Sequence, residues 1–324
     1  MKLAIVSPCY NEHEVLRSSA ERLTALFGEL IGKGKISGDS FILFVNDGSK
    51  DNTWEIITDL FKSNPYVYGL NLAGNVGHQN AIMAGMMTVR DRCDAVITID
   101  ADLQDDLNAI EEMIDRYKDG NDIVYGVKVS RRADPFMKRQ TAKAFYKLQH
   151  TLGVKTINNH ADFRLLSRRA LQQLSMYDER NLYLRGIIPL LGYRSATVDD
   201  VISERELGKS KYTVKKMLKL ALDGITSFST RPIHLIFLAA FVFLIISIVI
   251  SIYTLYAFIR HSAAPGWTSL MLSLWFIASI ILFALGIIGQ YIGKIYTEIK
   301  RRPLYHIESS LLDKKESEKN HVPD

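Results

Sequence analysis

Two aspartates one residue apart, Asp100 and Asp102, close the apolar run Ala95–Ile99. Carboxylates are hard oxygen ligands, and a pair can hold a divalent cation that also takes phosphate oxygens. A cation placed there can grip the diphosphate of a bound nucleotide. Asp-x-Asp by itself is common. Its place makes it informative, because open α/β sheets bind ligands at the carboxyl ends of their strands.

Three other strand ends carry polar chemistry. Leu3–Ser7 leads into Pro8-Cys9-Tyr10-Asn11-Glu12. The Tyr10 ring can stack on a base, while Asn11 and Glu12 equally suit the start of a helix. Phe41–Val45 ends in Asn46-Asp47-Gly48-Ser49. Asp47 can accept hydrogen bonds from a ribose or base, and Gly48 permits close backbone approach, although a plain turn uses the same residues. Tyr66–Leu72 is followed by Asn75-Val76-Gly77-His78. No Gly-x-Gly-x-x-Gly follows the first strand, and there is no Gly-x-x-x-x-Gly-Lys-Ser/Thr, which argues against a dinucleotide oxidoreductase and a P-loop cradle.

The elements between these points alternate. Helical spacing covers Glu12–Ile31, the stretch capped by Asp51 through Phe61, Gln79–Val89 and Leu107–Tyr117; Asp122–Val127 is a fifth strand. Repeated β-α units predict a mainly parallel sheet with helices on both faces. The pattern then loosens: Lys138–Leu152 has helical character, and Asn158–Leu166 is a mixed stretch holding Asp162 and Arg164. The chain has 324 residues, a net charge of +5 and two cysteines, Cys9 and Cys93. The charge favours an anionic partner without choosing its class. Two cysteines make no disulfide framework or metal spacing, which fits a reducing compartment, with Cys9 as strand packing. Met1-Lys2 runs straight into a strand, with no leader pattern.

From Tyr212 the pattern changes. Val214, Met217, Leu218, Ala221, Leu222 and Ile225 line one helical face opposite Lys215, Lys216 and Lys219, as in a helix lying on a membrane surface. Leu235–Ile259 and Trp267–Gly293 contain no charged residue. Each exceeds the ~20 residues needed to cross a bilayer core. Basic residues gather before the first stretch (Arg205 to Arg231) and after the second (Lys294 to Arg302), whereas the loop between offers Arg260 and His261. The positive-inside rule therefore predicts a two-helix hairpin with both termini in the cytoplasm. The expected organisation is a catalytic domain over 1–211, an amphipathic segment over 212–232, spans near 233–259 and 267–293 within 233–296, and a basic, then disordered, tail over 297–324.

Together these residues resemble the nucleotide-sugar half of family 2 glycosyltransferases with the GT-A fold. Asp100-Ala101-Asp102-Leu103-Gln104-Asp105, Ala161-Asp162-Phe163-Arg164, Gly208-x-Ser210-Lys211-Tyr212 and Gly289-x-Tyr291-Ile292-Gly293-Lys294 are similar to one subfamily. This is the polyprenyl-phosphate glycosyltransferases, above all the bactoprenol glucosyltransferases, with dolichol-phosphate mannose synthases as relations. The resemblance implies a GT-A, Rossmann-like α/β domain and a UDP-sugar donor, glucose first, with N-acetylglucosamine, galactose, mannose or a modified pentose open. It implies undecaprenyl phosphate or another polyprenyl phosphate as acceptor, Mg²⁺ or Mn²⁺ as cofactor, an inner-membrane location, no nucleic-acid partner and a homotetramer.

Residue by residue, the resemblance places Pro8, Tyr10, Asn11, Glu12, Asp47, Gly77, Asp100, Ala101 and Asp102 around the donor. It places Gln104 beside Asp100 and Asp102 at the metal. It places Lys128, Arg131, Arg164, Arg205, Ser210 and Lys211 near the lipid phosphate. Asp162, with Asp102, falls in the catalytic set, either orienting the sugar or accepting a residual proton; a buried Asp162–Arg164 ion pair is the plainer alternative. Lys128 stands where arginine is common, and Asp106 replaces a common proline, which should alter only a helix start. A processive polysaccharide synthase is the rival enzyme, although the Gln-x-x-Arg-Trp motif is absent. A non-catalytic nucleotide-sugar scaffold is the rival outside enzymes.

Overall fold

The computed structural model describes residues 1–129, 160–201 and 266–312, with isolated positions between 236 and 252. The chain divides into two units, one holding 1–146, 155–211 and 302–324, the other 147–154 and 212–301.

The first unit is built on one eight-stranded sheet. Its strands are β1 (Leu3–Cys9), β2 (Phe41–Asn46), β3 (Val67–Leu72), β4 (Ala95–Thr98), β5 (Ile123–Val129), β6 (His160–Ser167), β7 (Ser195–Val201) and β8 (Ile307–Ser310). Their order is β7-β5-β6-β4-β1-β2-β3-β8. β1 pairs in parallel with β2 and β4, β2 with β3, and β5 with β7. β6 runs antiparallel to β4 and β5, and β8 antiparallel to β3. β1 and β2 are buried along their whole length, as expected of strands covered on both faces.

Helices α1 (Leu16–Gly32), α2 (Thr53–Ser63), α3 (His78–Val89) and α4 (Asn108–Lys118) return the chain between the parallel strands. Leu23, Phe27 and Leu30 of α1 join Ile5, Ile42 and Phe44 in the main core. On the other face α3 lies close against the sheet because residue 85 is glycine: a Cβ there would stand 2.4 Å from Val6 Cγ1 and 2.8 Å from Val45 Cγ2. The short helices α5 (Arg168–Leu174) and α6 (Leu184–Leu190) follow β6. Asp51 lies one residue before Asn52, the N-cap of α2, and its Oδ1 accepts the Thr53 N–H of the first turn at 3.1 Å. Asp106 accepts the Asn108 N–H at 3.0 Å at the start of α4, and its own N–H, which proline would lack, donates to Asp200 Oδ1 of β7 at 2.9 Å, so the substitution reaches beyond the helix start.

Three elements depart from expectation. The mixed stretch 158–166 is largely the central strand β6. Phe163 and Leu165 enter the core, while Asp162 and Arg164 alternate on the opposite face. Arg164 is only 1% exposed and paired with Asp162, so the buried ion pair offered as the plainer alternative is present. The second departure is β8, in the basic stretch of the tail where no strand was expected: residues 307–310 pair with β3, and Leu311 and Leu312 are buried. Residues 313–324 lie outside the described residues.

The third departure concerns the membrane. In the second unit α7 (Trp267–Lys300) is one helix of 34 residues, about 50 Å long. It contains the expected span 267–293. Phe283 is 71% and Leu282 69% exposed, an apolar surface that water does not favour. Among the described residues this is the one helix long and apolar enough to cross a membrane, over Ile280–Lys300. The expected span 233–259 lies outside the described residues apart from isolated positions, and the amphipathic segment 212–232 and helix 138–152 lie outside them entirely. The two-helix hairpin is therefore not confirmed.

Candidate functional site

The carboxyl ends of β1, β2, β3 and β4 lie along one edge of the sheet, since these strands run parallel. β6 runs the other way, so its amino end meets the same edge: Thr98 pairs with Arg164, and the Thr98 hydroxyl donates to the Asp162 carbonyl. Residues 64 apart in sequence thereby become neighbours.

The Asp100–Asp102 turn is held from below. The Leu103 N–H donates to the Asp100 carbonyl at 3.1 Å, and Ser19 of α1 donates its hydroxyl to the Ala101 carbonyl at 2.6 Å. Leu103 takes a left-handed backbone, φ +45°, while its side chain stays 1% exposed. That conformation costs a branched residue about 1–2 kcal/mol, which the burial of Leu103 offsets. Gln104 Nε2 donates to Asp102 Oδ2 at 2.8 Å and orients that carboxylate.

Asp100 faces a charged group that sequence reasoning did not assemble. His78 Nε2 lies 3.4 Å from Asp100 Oδ1 and 3.5 Å from Asp162 Oδ2. Arg185 Nη2 lies 3.1 Å from Asp162 Oδ2, and Arg164 Nη2 binds Asp162 Oδ1. Burial raises the Asp100 pKa, His78 partly opposes this, and the neighbouring Asp162 and Asp102 charges add to it. Burial would also raise Asp162, but Arg185, the His78 hydrogen bond and Arg164 together hold it well below the usual carboxylate range. His78 responds in the opposite sense: burial lowers it, and the two carboxylates more than restore it, so its pKa rises. His78 had a signal in sequence, a histidine next to a glycine at a strand end. Arg185 had none, because it comes from the seven-residue α6 after a long gap.

The loops expected to face a donor fasten one another. The Asp47 carboxylate accepts the N–H groups of Val76 (2.7 Å) and Gly77 (3.1 Å) and the Asn75 amide (3.1 Å). Asp47 is 3% exposed, and burial raises its pKa despite those donors. Gly48 between them has φ +62°, and a Cβ there would lie 2.5 Å from the Asn75 nitrogen. Tyr10 is 39% exposed, Asn11 accepts the Lys50 N–H at 2.9 Å, and the Glu12 N–H donates to Thr53 Oγ1 at 3.0 Å. Pro8 ends within buried β1. Cys9 and Cys93 are buried free thiols whose pKa values burial raises, to about 12 for Cys93, and neither is poised as a nucleophile.

Of the expected phosphate ligands, Lys128 at the end of β5 meets Asp105 Oδ1 at 3.3 Å. Asp105 is buried, which pushes its carboxyl up to about 8 against the pull of Lys128. Arg164 is turned into the protein onto Asp162, so a lipid phosphate would have to open that pair to reach it. Arg131, Arg205, Ser210 and Lys211 lie outside the described residues.

The donor set suits a hard divalent cation. Asp100 is surrounded by protein on most sides, which raises its pKa, but its carboxylate stays 49% exposed on the open side, and Asp102 is oriented beside it. Among the described residues no three His, Cys, Asp or Glu side chains form a ready-made cage.

Comparison with known proteins gives this geometry a family. Residues 4–175 match the model of glycosyl transferase family 2. An uncharacterized glycosyltransferase, YkoT of Bacillus subtilis (strain 168), is 48% identical over 309 residues, covering 95% of this chain and 92% of its own. A prophage-derived bactoprenol glucosyl transferase of Shigella flexneri is 37% identical over 316 residues, covering 96% and 98%. A prophage bactoprenol glucosyl transferase homolog of Escherichia coli (strain K12) is 36% identical over 313 residues, covering 95% and 99%. With a matched family model over more than half its length and relatives aligned almost end to end, the chain belongs to glycosyl transferase family 2 and is a glycosyltransferase.

Proposed function

We propose that this glycosyltransferase moves glucose from UDP-glucose to undecaprenyl phosphate at the cytoplasmic face of a membrane, with inversion at the anomeric carbon. The observation that carries the reading is the meeting of Asp100, His78 and Asp162 within 3.5 Å, at the sheet edge that also holds the Tyr10 and Asp47 loops. The Shigella relative, a bactoprenol glucosyl transferase, and its Escherichia homolog support the sugar and the lipid.

In this reading Tyr10, Asn11 and Glu12 take the nucleoside, with Pro8 behind them. Asp47 and Gly77 shape the facing wall, and Asp100, Ala101 and Asp102 take the diphosphate end. Asp100 and Asp102, with Gln104 orienting the latter, would hold Mg²⁺ or Mn²⁺, which when bound neutralises the charge of the leaving diphosphate.

The acceptor needs little help from a base. A phosphate monoester has a second pKa of roughly 6 and is largely dianionic at neutral pH. Asp162 is correspondingly ill suited to general-base work, which favours a carboxylate titrating near the working pH. Arg185, Arg164 and His78 keep it ionised and aimed, which suits a group that accepts sugar hydroxyls and orients the anomeric carbon. Lys128, Arg131, Arg205, Ser210 and Lys211 would position the lipid phosphate opposite the departing diphosphate. A single displacement from that side inverts the centre.

The apolar α7, the stretch 233–259 and the amphipathic 212–232 segment would keep this chemistry at the lipid surface, with catalytic domain and both termini on the basic, cytoplasmic side. The test is incubation of the full-length protein in nanodiscs with undecaprenyl phosphate and labelled UDP-glucose. One labelled sugar on solvent-extractable lipid is expected. A polymer, or nucleotide binding without turnover, would overturn the reading, and a panel of other donors checks the sugar.

A further inference from the structure

The strand that follows the long apolar helix is wired to the loop after β2. Glu308 of β8 accepts a hydrogen bond from Asn71 Nδ2 at 2.7 Å. Asn71 Oδ1 accepts from Asn46 Nδ2 at 2.7 Å, and Asn46 Oδ1 accepts the backbone N–H of Ser49 at 3.3 Å. Ser49 Oγ in turn accepts the N–H of Asn11 at 3.0 Å. Asn46 and Asn71 face each other in the β2–β3 register and are 3% and 8% exposed, so water does not compete freely for their amides.

The direction of this relay is forced from its ends. An ionised carboxylate only accepts, and a backbone N–H only donates. Between Glu308 and the Ser49 N–H, each asparagine can satisfy both neighbours in a single orientation: NH₂ toward β8, carbonyl toward the loop. Without an acceptor at position 308 either amide can turn over, and a turned Asn46 presents NH₂ to the Ser49 N–H. The loop Asp47-Gly48-Ser49, and through Ser49 the left-handed Asn11 at φ +54°, then lose one of the hydrogen bonds that hold them.

We infer that Glu308 is a positioning residue for donor binding, acting through Asn71 and Asn46 on the loops that carry Tyr10, Asn11 and Asp47. The inference rests on the reading of those loops as the nucleotide site. It makes β8 part of the donor half of the enzyme, although it follows α7 in the chain.

Four full-length proteins test it: wild type, Glu308→Gln, Glu308→Ala and Glu308→Lys. UDP-glucose binding with Mn²⁺ is measured by calorimetry, and KM is measured separately for donor and for undecaprenyl phosphate. Glu308→Gln keeps an acceptor and should stay within about 2-fold of wild type. Glu308→Ala should weaken donor binding about 5-fold, the worth of one hydrogen bond. Glu308→Lys offers only donors, reverses the relay and should weaken it further, beyond about 10-fold. The acceptor KM should stay unchanged in all. Equal donor affinity in all four proteins overturns the inference, as does an equal loss for Gln and Lys or a parallel loss for both substrates. Wild-type protein that binds no UDP-glucose would instead overturn the nucleotide-site reading itself.

Discussion

The carboxylate of Asp47, at the end of β2, accepts the backbone N–H of Val76, ahead of α3, at 2.7 Å. Two strand ends separated by a helix and a strand are thereby tied into one wall. The tie depends on Gly48, whose φ of +62° and lack of a Cβ let the Asn75 backbone pass. Gly48→Ala should displace the wall and raise the donor KM at least about 10-fold, through a left-handed strain of about 1–2 kcal/mol plus the steric overlap. Steady-state kinetics against UDP-glucose check this, and an unchanged donor KM would place the loop outside the donor site.

Asp102→Asn should lower turnover at least about 100-fold, and chelation of divalent ions should do the same to wild type until Mg²⁺ or Mn²⁺ is restored. Gln104→Leu removes the hydrogen bond that orients Asp102, and should raise the metal concentration for half-maximal rate about 10-fold while sparing the rate at saturating metal. Initial rates across a metal titration separate the two. Normal turnover in Asp102→Asn would rule out the metal role.

Asp162 sets a pH expectation whose sign is definite. Its folded pKa lies well below the ordinary value, so its charge contributes to stability above the unfolded pKa and that contribution is lost as pH falls through the folded one. Between pH 5.5 and 9 its ionisation should leave no inflection in kcat. Arg185→Gln removes the strongest of the opposing interactions and raises the folded pKa. The melting-temperature gap between wild type and this variant should be widest above about pH 5 and narrow below about pH 4. A gap that grows on acidification would contradict the assignment.

Lys211→Ala should raise the KM for undecaprenyl phosphate several-fold more than the KM for donor, as loss of one charge-assisted contact of about 1.5–3 kcal/mol implies. The opposite pattern, read from paired substrate titrations in one nanodisc preparation, would remove Lys211 from the acceptor set.

Tags at residue 1 and residue 324 should both be protected in intact cells and become accessible only after the membrane is permeabilised. An externally accessible C-terminal tag would refute the hairpin.

Much of the scaffold was legible because the relevant signals are local. The apolar runs at Leu3, Phe41, Tyr66 and Ala95 are strands within a residue or two of where the structure has them, since a strand buried on both faces must be apolar throughout. Asp100 and Asp102 stood out for the same reason, as charges that end such a run. β6 was hidden because Asp162 and Arg164, a buried ion pair, interrupt its apolar residues and leave no clean run. β8 was hidden because four residues, Ile307–Ser310, carry no periodicity, and their strand character comes from β3 alongside.

By itself the chain determined the alternation of strand and helix, the polar strand ends and the charge-free stretch that becomes α7, because each follows from the preferences of neighbouring residues. Only the tertiary structure decided that His78, Asp100, Asp162 and Arg185 share a few ångströms, and that Glu308 reaches the loop after β2. The reason is that an antiparallel insertion between β4 and β5, and a late edge strand on β3, are choices of pairing partner, and pairing is a long-range property that no window of sequence contains.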